Sequence, residues 1–173
     1  MRVFIAGAAG ALGRQLVPLA RAAGHDVVGT TRYPSRQLLL QRLGAHPVVV
    51  DALDETALKQ VVAAAEPDVI VHQLTAIPQA VNMRRFDREF AATNRLRTQG
   101  TDNLLAAAQA AGVTRFVAQS NGAVPYVRSG SAVKSEDDPF DVRYPKQMRK
   151  AMAAIRYLEN AIQSADWVDG IVL

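Results

Sequence analysis

The sequence contains no cysteine. The chain can therefore form no disulfide, thiolate nucleophile or zinc–cysteine site, and this composition is typical of a reducing compartment, so we expect a cytoplasmic location. Histidine is scarce too, and His25, His46 and His72 are far apart and outside any HExxH spacing, so we expect no metal site. Long apolar runs are also missing. No stretch reaches the roughly 18 residues of a membrane span, so we expect no membrane partner.

The chain carries a modest excess of positive charge. Its formal net charge is +4 and its sequence pI is about 9.8, which raises the question of a nucleic-acid partner. The basic residues concentrate between positions 84 and 97, where Asp87 and Glu89 interleave with them. An aromatic RNA-binding pattern and a recognition-helix signature are both missing. We interpret the basic segment as a solvated helix face and expect no nucleic-acid partner.

Glycines spaced three apart follow directly on a short apolar segment at the start of the chain. Gly7, Gly10 and Gly13 come after a strand predicted over residues 2–6, and a helix is predicted over 11–23. Glycine lets the backbone turn tightly and approach a ligand closely. The following helix N-terminus offers unpaired N–H groups and a positive dipole end to phosphates. This arrangement predicts a dinucleotide-binding loop.

Strand-like and helix-like segments alternate along the whole chain. The predicted strands cover residues 2–6, 26–31, 47–50, 68–72, 115–119 and 170–173. The predicted helices cover residues 11–23, 35–44, 54–66, 84–111 and 146–164. Short apolar strands that are each followed by a crossover helix indicate an α/β protein with a parallel sheet buried on both faces.

Five motifs stand in order, each after the expected element: Gly7-x-x-Gly10-x-x-Gly13, Asp51-Ala52-Leu53, Val71-His72-Gln73-Leu74-Thr75-Ala76, Thr93-Asn94 and Phe116-Val117-Ala118-Gln119-Ser120. On these motifs the chain resembles the N-terminal part of the extended or atypical short-chain dehydrogenases/reductases, the NAD-dependent epimerase/dehydratase-like proteins. The similarity covers essentially the whole chain. It implies a Rossmann-type doubly wound sheet in three α/β/α layers. It also implies an NAD(P)-dependent oxidoreductase or epimerase/dehydratase-like enzyme acting on a small carbonyl, hydroxyl or sugar-nucleotide substrate.

The resemblance assigns the pyrophosphate and the adenine to two segments. The glycine loop, with the backbone of Ala11 and Leu12, would hold the pyrophosphate. Asp51 would hydrogen-bond the adenine, with Ala52 beside it. The alternative for Asp51 is a residue that only caps a turn.

The resemblance also assigns the segment after the fourth strand. Leu74, Thr75 and Ala76 would line the ribose and nicotinamide side of the cofactor. Asn94 would help shape the active-site side of the long helix, and its alternative is an ordinary amide on the helix surface. His72 is interpreted as a structural histidine at the end of the strand rather than a catalyst.

The residues after the second strand predict which cofactor binds. An acidic residue there would hydrogen-bond the adenosine ribose and select NAD. Here Thr31 occupies that place and Arg32 follows it. A guanidinium offers forked, charge-assisted donors to a 2′-phosphate. We therefore predict that NADP(H) binds better than NAD(H), the alternative being that Arg32 points into solvent.

The proton-transfer pair of this superfamily is missing. Its chemistry normally uses Tyr-x-x-x-Lys on the helix after the fifth strand, a spacing that puts both side chains on one helix face. Aligning Glu159 with the family's glutamate places Ala151 and Ile155 at the tyrosine and lysine positions. Neither can do acid–base work, and Tyr-x-x-x-Lys occurs nowhere in the chain. A non-catalytic dinucleotide-binding module therefore stays open as the alternative to an enzyme.

Three residues are the candidates for a catalytic role. Ser120 and Asn121 follow the fifth strand, where the family places a hydroxyl that orients the substrate. Tyr144 could reach the site from the polar loop over residues 121–145, as could Tyr126 or Lys146. The other possibility is pure hydride transfer, with water or the substrate supplying the proton.

The resemblance further predicts the extent and the assembly of the chain. We expect residues 1–173 to be one NAD(P)-binding domain, truncated before a C-terminal substrate-binding region. The alternative is that the last apolar segment is simply the edge of the sheet. The family often pairs through two helices, which here are predicted over 84–111 and 146–164, so a homodimer is possible. The expected partners are a dinucleotide cofactor and a small-molecule substrate whose identity the sequence leaves open.

Overall fold

The computed structural model describes residues 1–121, 126–127, 129–135, 138–139, 141 and 143–173. Its strands are β1 (Arg2–Ala6), β2 (Asp26–Thr31), β3 (His46–Val49), β4 (Val69–His72), β5 (Arg115–Ala118) and β6 (Asp169–Val172). Its α-helices are α1 (Gly13–Ala22), α2 (Gln37–Arg42), α3 (Glu55–Ala65), α4 (Phe86–Glu89), α5 (Ala91–Arg97), α6 (Gln99–Ala110) and α7 (Arg149–Gln163). Short 3₁₀ turns at Pro34–Arg36, Met83–Arg85 and Lys146–Met148 precede α2, α4 and α7.

The strands form one parallel sheet in the order β3-β2-β1-β4-β5-β6. In its centre, Ile5 of β1 pairs with Gly29 on one side and Val71 on the other. From β1 the chain goes to β2 on one side, and it later returns to β4 on the other. This is the doubly wound topology, in which ligands bind outside the carboxyl ends of the strands where the strand order reverses. The cofactor loop is therefore at the switch point.

Apolar side chains cover both faces of the sheet, because neighbouring residues of a strand point to opposite faces. Phe4 and Ile5 of β1 illustrate this, since both are fully buried but belong to two separate core clusters. The cluster around Phe4 includes Leu104 of α6 and Leu158 of α7. The cluster around Ile5 includes Val17 of α1. The predicted three-layer arrangement is confirmed.

The prediction of one continuous helix over 84–111 is wrong. The segment forms a 3₁₀ turn and the helices α4, α5 and α6, with breaks at Phe90 and Thr98. Thr98 has φ −100° and ψ −88°, which is outside helical geometry. Its Oγ1 donates to the carbonyl of Asn94 at 3.0 Å, and Thr101 Oγ1 donates to the carbonyl of Arg97 at 2.8 Å. Such hydroxyl–carbonyl bonds compete with the helix ladder and bend it.

Acidic side chains cap the starts of two helices, α3 and α7. Asp54 caps α3, as the sequence predicts, by accepting from the backbone N–H of Ala57 at 3.0 Å. The cap of α7 comes from another element, because the carboxylate of Asp87 in α4 accepts from the N–H groups of Lys150 and Ala151 at 3.0 and 2.9 Å. This bond fixes α7 against α4, although no local residue of α7 indicates it.

The described residues form neither a membrane-spanning helix nor a metal-binding cluster. In that part of the chain no helix is both long and apolar enough to cross a membrane. Across the same residues, no group of histidine and carboxylate side chains has the arrangement to hold a metal ion.

Candidate functional site

The glycine loop forms a cradle that a side chain would fill. Gly7 has φ +88°, and a Cβ on it would lie 2.7 Å from the carbonyl oxygen of Gln73. A Cβ on Gly13 would lie 2.5 Å from the carbonyl oxygen of Ala8. The turn closes by a 2.9 Å bond from the N–H of Gly10 to the carbonyl of Gly7. The Gly7 and Gly13 positions therefore admit no side chain, and this tight glycine turn fits the pyrophosphate of a dinucleotide.

A cleft opens beside this cradle and runs along the carboxyl ends of β1, β2, β3 and β4. The residues lining it are Gly7, Ala9, Gly10, Thr30, Thr31, Arg32, Tyr33, Arg36, Val50, Asp51, Ala52, Gln73, Leu74, Thr75 and Leu96. Most of the predicted cofactor residues are among them. Of the others, Ala11 and Leu12 are exposed at the end of the loop, Gly13 is buried beneath it, and Ala76 lies one residue beyond the lining segment.

Two guanidinium groups flank one aromatic ring at the β2 end of the cleft. The guanidinium carbon of Arg32 lies 4.8 Å from the centre of the Tyr33 ring, and that of Arg36 lies 5.1 Å from it. Arg36 is also held by a 3.3 Å bond from Nη1 to the carbonyl of Ala9 in the glycine loop. Thr31 is used locally, since its Oγ1 accepts from the N–H of Tyr33 at 3.2 Å. This end of the cleft therefore suits an anion.

The sequence reasoning missed Tyr33 and Arg36 at this end of the cleft. Arg36 is four residues after Arg32, a spacing that a turn could have predicted as one face. The 3₁₀ turn at Pro34–Arg36 brings the second guanidinium back onto the ring. A basic residue shortly after Arg32 was the available signal.

In the loop after β3, Asp51 both caps a turn and lines the cleft, so the two roles considered for it are compatible. Its Oδ1 accepts from the N–H of Leu53 at 3.0 Å, which makes it a turn residue, and it also lines the cleft. Helix α6 holds this loop in place, because Nδ2 of Asn103 donates to the carbonyl of the neighbouring Ala52 at 2.9 Å. One carboxylate oxygen of Asp51 stays available to a ligand.

His72 orients the loop after β4. The ring is buried, its Nδ1 accepts from the N–H of Leu74 at 3.2 Å, and its Nε2 lies 3.0 Å from Thr101 Oγ1. Because the Thr101 hydroxyl donates to the carbonyl of Arg97, it can only accept from the ring, so Nε2 carries the hydrogen. Burial, and secondarily the charge of Arg97, lowers the pKa of His72 to about 4. The ring is therefore neutral and structural.

The same loop has a second anchor on α5. The N–H of Ala76 donates to Oγ1 of the buried Thr93 at 3.1 Å. Leu74 and Thr75 lie between the two anchors and line the cleft. The predicted nicotinamide-side segment is thus held by the His72 ring of β4 at one end and by the Thr93 side chain of α5 at the other.

Asn94, which the resemblance assigns to the active-site side of the long helix, lies on α5. It lines a second cleft between α4, α5 and α7, together with Asp87, Lys150 and Tyr157, and is not among the residues lining the first. Its Oδ1 is buried without a hydrogen-bond partner in the described structure. A contact between Asn94 and the cofactor stays a prediction.

The positions aligned with the missing pair belong to the core. Ala151 and Ile155 are each 1% exposed, and Ile155 packs against Met148 and Met152. These side chains are enclosed by protein, as their apolar character demands. The face that carries the tyrosine and lysine in related proteins is here a packing surface.

A buried polar group stands near this surface. Ser120 is buried, and its Oγ donates a short hydrogen bond to the Glu159 carboxylate on α7. Arg97, only 5% exposed, supplies the positive charge that interacts with Glu159, although its burial lowers its own pKa. The hydroxyl hydrogen of Ser120 is therefore used within the protein, so toward a ligand Ser120 offers an acceptor.

The other two catalytic candidates are Tyr144, just before α7, and Asn121, just after Ser120. Tyr144 is half-buried, packs against the cluster of Met148, Met152 and Ile155, and has the guanidinium of Arg156 at 5.7 Å from its ring centre. Asn121 is half-buried and follows Ser120 directly. The polar loop predicted over 121–145 also contains residues outside the described ranges, from which nothing is assigned.

Comparisons with known proteins agree with this geometry. The chain is 43% identical over its full length to a 3-diazoavenalumate denitrifying reductase of a Streptomyces species, covering 55% of that protein. It is 36% identical, over 72% of its length, to a 4-hydroxy-2-methyl-3-oxo-4-farnesyl-3,4-dihydroquinoline-1-oxide ketoreductase of Stigmatella aurantiaca, covering 34% of it. The chain thus spans about half, or less, of the curated relatives it matches.

Solved structures show the same fold. The Bordetella bronchiseptica enzyme WbmG, in complex with NAD and UDP, is 25% identical with a TM-score of 0.70, over 99% of this chain and 51% of that one. The UDP-glucose 4-epimerase of Thermotoga maritima, at 19% identity and TM-score 0.76 over 96% of this chain and 52% of that one, shows the fold alone. The model of the NAD dependent epimerase/dehydratase family matches residues 3–171. With its glycine cradle, switch-point cleft and parallel sheet, the chain belongs to the NAD-dependent epimerase/dehydratase family.

Proposed function

We propose that this chain is the cofactor-binding part of an NADP(H)-dependent reductase. The observation that carries the proposal is the pair of guanidinium groups of Arg32 and Arg36 around Tyr33, at the end of a cleft that begins in the glycine cradle. When bound, a reduced nicotinamide supplies a hydride. The full-length similarity to a Streptomyces reductase supports this direction of chemistry.

The preference for a phosphorylated cofactor rests on charge. A 2′-phosphate carries negative charge and several acceptor oxygens, which two guanidiniums satisfy with charge-assisted hydrogen bonds. NAD(H) would leave both cations facing a neutral ribose. No acidic side chain occupies the Thr31 position, where an NAD-selective protein would place one.

Charge reversal at Arg32 tests the preference. Arg32→Asp should lower the affinity for NADPH by at least about tenfold and improve the ratio toward NADH, since each lost charge-assisted bond contributes about 1.5–3 kcal/mol. Arg42→Asp is the matched control, because Arg42 is exposed on the neighbouring α2 and does not line the cleft. An unchanged ratio of NADPH to NADH affinity in Arg32→Asp would contradict the proposal.

We propose further that the reaction uses hydride transfer without a Tyr–Lys pair, and that water or the substrate itself supplies the proton that a reduced carbonyl oxygen takes up. The buried positions of Ala151 and Ile155, and the use of the Ser120 hydrogen by Glu159, support this. The substrate would be a small electrophile such as a carbonyl compound, or a diazo compound like the one that the Streptomyces relative's name indicates. A sugar nucleotide is the third class, supported by the fold neighbours.

Deuterium-labelled NADPH distinguishes an enzyme from a non-catalytic dinucleotide-binding module. Deuterium from the reactive position of NADPH should appear in the product of at least one carbonyl, diazo or sugar-nucleotide compound, measured with the full-length protein. Tight NADPH binding without deuterium transfer to any of the three classes would favour a dinucleotide-binding module. The burial of Ala151 and Ile155 in the core is the observation that favours a non-catalytic module.

A homodimer through the α4–α5–α7 face is also proposed. The second cleft lies on this face, and the half-buried amide of Asn94 and the 43% exposed Tyr157 line it. A second copy packing here would cover both side chains. Sedimentation velocity should show a dimer, and Ala153→Glu on the same face should convert it to a monomer. A wild-type monomer at high concentration would contradict the proposal.

A further inference from the structure

Gln73 stands at the centre of the cofactor cleft, although no motif assigns a role to its side chain. It is the residue directly after β4, and its N–H donates to the carbonyl of Ala6 in β1 at 2.9 Å. Its own carbonyl oxygen is the atom that a Cβ on Gly7 would strike. The side chain lines the cleft between the glycine loop and Leu74. Gln73 therefore sits at the point where the strand order reverses.

The side-chain amide oxygen of Gln73, Oε1, is buried without a hydrogen-bond partner in the described structure. A buried acceptor without a donor costs free energy, because water has been removed and nothing replaces it. Gln73 as a whole is only half-buried and lines the cleft, so a change in its χ1 and χ2 torsions can bring the amide oxygen toward the cleft. A ligand with a hydroxyl there would relieve the unsatisfied oxygen.

The order of the strands indicates which part of a dinucleotide lies beside Gln73. The cationic end of the cleft is formed by residues after β2, on one side of β1. Gln73 follows β4, on the other side of β1, next to β5. If the pyrophosphate occupies the glycine cradle and the adenosine the cationic end, the second nucleoside extends toward β4 and β5. Its ribose hydroxyls can donate to an amide oxygen and accept from an amide nitrogen.

We propose that the Gln73 carboxamide binds a ribose hydroxyl of the nicotinamide half of the cofactor. The buried Oε1, which has no partner among the described residues of the chain, would then accept a hydrogen bond from that hydroxyl. This inference rests on the proposed NADP(H) site. It makes Gln73 a residue that favours the complete dinucleotide over its adenosine half.

Two ligands and one substitution test this role. Gln73→Leu keeps the approximate size of the side chain and removes its polar atoms. By calorimetry, its affinity for NADPH should fall about three- to tenfold, the range of one neutral hydrogen bond. Its affinity for adenosine 2′,5′-bisphosphate, which lacks the nicotinamide half, should not change. The unliganded variant should melt at a higher temperature than wild type, because the orphan oxygen is gone.

Gln109→Leu is the matched control, since Gln109 is exposed on α6 away from the cleft. It should leave both affinities unchanged. Equal NADPH affinity in Gln73→Leu and wild type, or an equal loss for both ligands, would overturn the role of Gln73 while leaving the cofactor proposal intact. If the wild-type chain binds neither ligand, the cofactor proposal itself is wrong and this inference falls with it.

Discussion

The ring of His72 and the hydroxyl of Thr101 lie 3.0 Å apart in the core and join the end of β4 to α6. On the other side of the ring, Nδ1 fixes the N–H of Leu74, which lines the cofactor cleft. The Thr101 hydroxyl donates a hydrogen bond to the carbonyl of Arg97, the residue just before the helix break at Thr98. A continuous series of hydrogen bonds thus connects Leu74, at the edge of the cleft, to the broken helix.

Stability should depend on pH through His72. Its pKa is about 4 in the folded chain, against about 6.5 when unfolded, so between these values the unfolded state binds more protons. The free energy of unfolding should therefore fall as the pH decreases through that window, with about 2 kcal/mol lost by about pH 5. Above about pH 6.5 the contribution is constant. Urea unfolding at both ends of the window measures it.

A neutral substitute isolates this effect from the titration of carboxylates. His72→Gln cannot be protonated, so its stability should fall less than that of wild type over the same pH range, although its stability at neutral pH is lower. Equal losses in the two proteins would show that His72 is not held neutral. NMR offers a second check, because the His72 ring resonances should not titrate between about pH 8 and 5.

Much of the fold follows from local sequence signals. The apolar, β-branched segments predict β1 to β6 within a residue or two, and Asp54 marks the start of α3 as expected. The breaks at Phe90 and Thr98 could not be read in the same way. At Thr98 the break goes with hydroxyl–carbonyl bonds of Thr98 and Thr101, which the apolar pattern of the segment does not show; nothing in the structure explains the break at Phe90.

Alanine substitutions at Gly13 and Gly10 of the glycine loop should differ in how much they lower the free energy of unfolding. Gly13→Ala places a methyl group 2.5 Å from a backbone oxygen that cannot move freely, so it should cost about 3 kcal/mol of stability. Gly10→Ala meets its nearest atom at 3.1 Å and should cost roughly 1 kcal/mol. Its methyl group nevertheless occupies the cradle, so NADPH affinity should fall at least about tenfold. Denaturant unfolding and calorimetry separate the two effects.

The cap from Asp87 should be measurable as stability. Asp87→Ala leaves the N–H groups of Lys150 and Ala151 without an acceptor and should cost about 1–2 kcal/mol. Asp87→Asn keeps one acceptor oxygen and should lose less. Asp166→Ala removes an exposed carboxylate and should change the free energy of unfolding by no more than about 0.5 kcal/mol. Equal effects of Asp87→Ala and Asp166→Ala would rule out the cap.

Restoring the family's lysine should harm this protein. Ile155→Lys buries a charge in an apolar cluster and should destabilise the chain by more than about 4 kcal/mol. Asn160→Lys on the exposed face of the same helix is the control and should have an effect within about 0.5 kcal/mol. A well-folded Ile155→Lys with a melting temperature like wild type would show that this position faces the cleft.

The site was only partly predictable from the sequence. The glycine spacing and Arg32 point to the cofactor cleft because those residues act through local backbone and charge. Arg36 lies outside every motif, and Gln73 lies within the motif after the fourth strand but has no role assigned by it; the roles proposed for both depend on which neighbours folding brings to them. The motif of Asn94 predicts a place at the cofactor, and that contact stays a prediction because in this structure Asn94 lines the second cleft.

Calorimetric titration of the chain with NADPH and, separately, with NADH is the decisive test of the cofactor site. We expect measurable binding of NADPH and weaker binding of NADH, because the glycine cradle accepts both cofactors while the guanidiniums of Arg32 and Arg36 bind only the 2′-phosphate. Binding of neither cofactor, or tighter binding of NADH, would contradict this expectation.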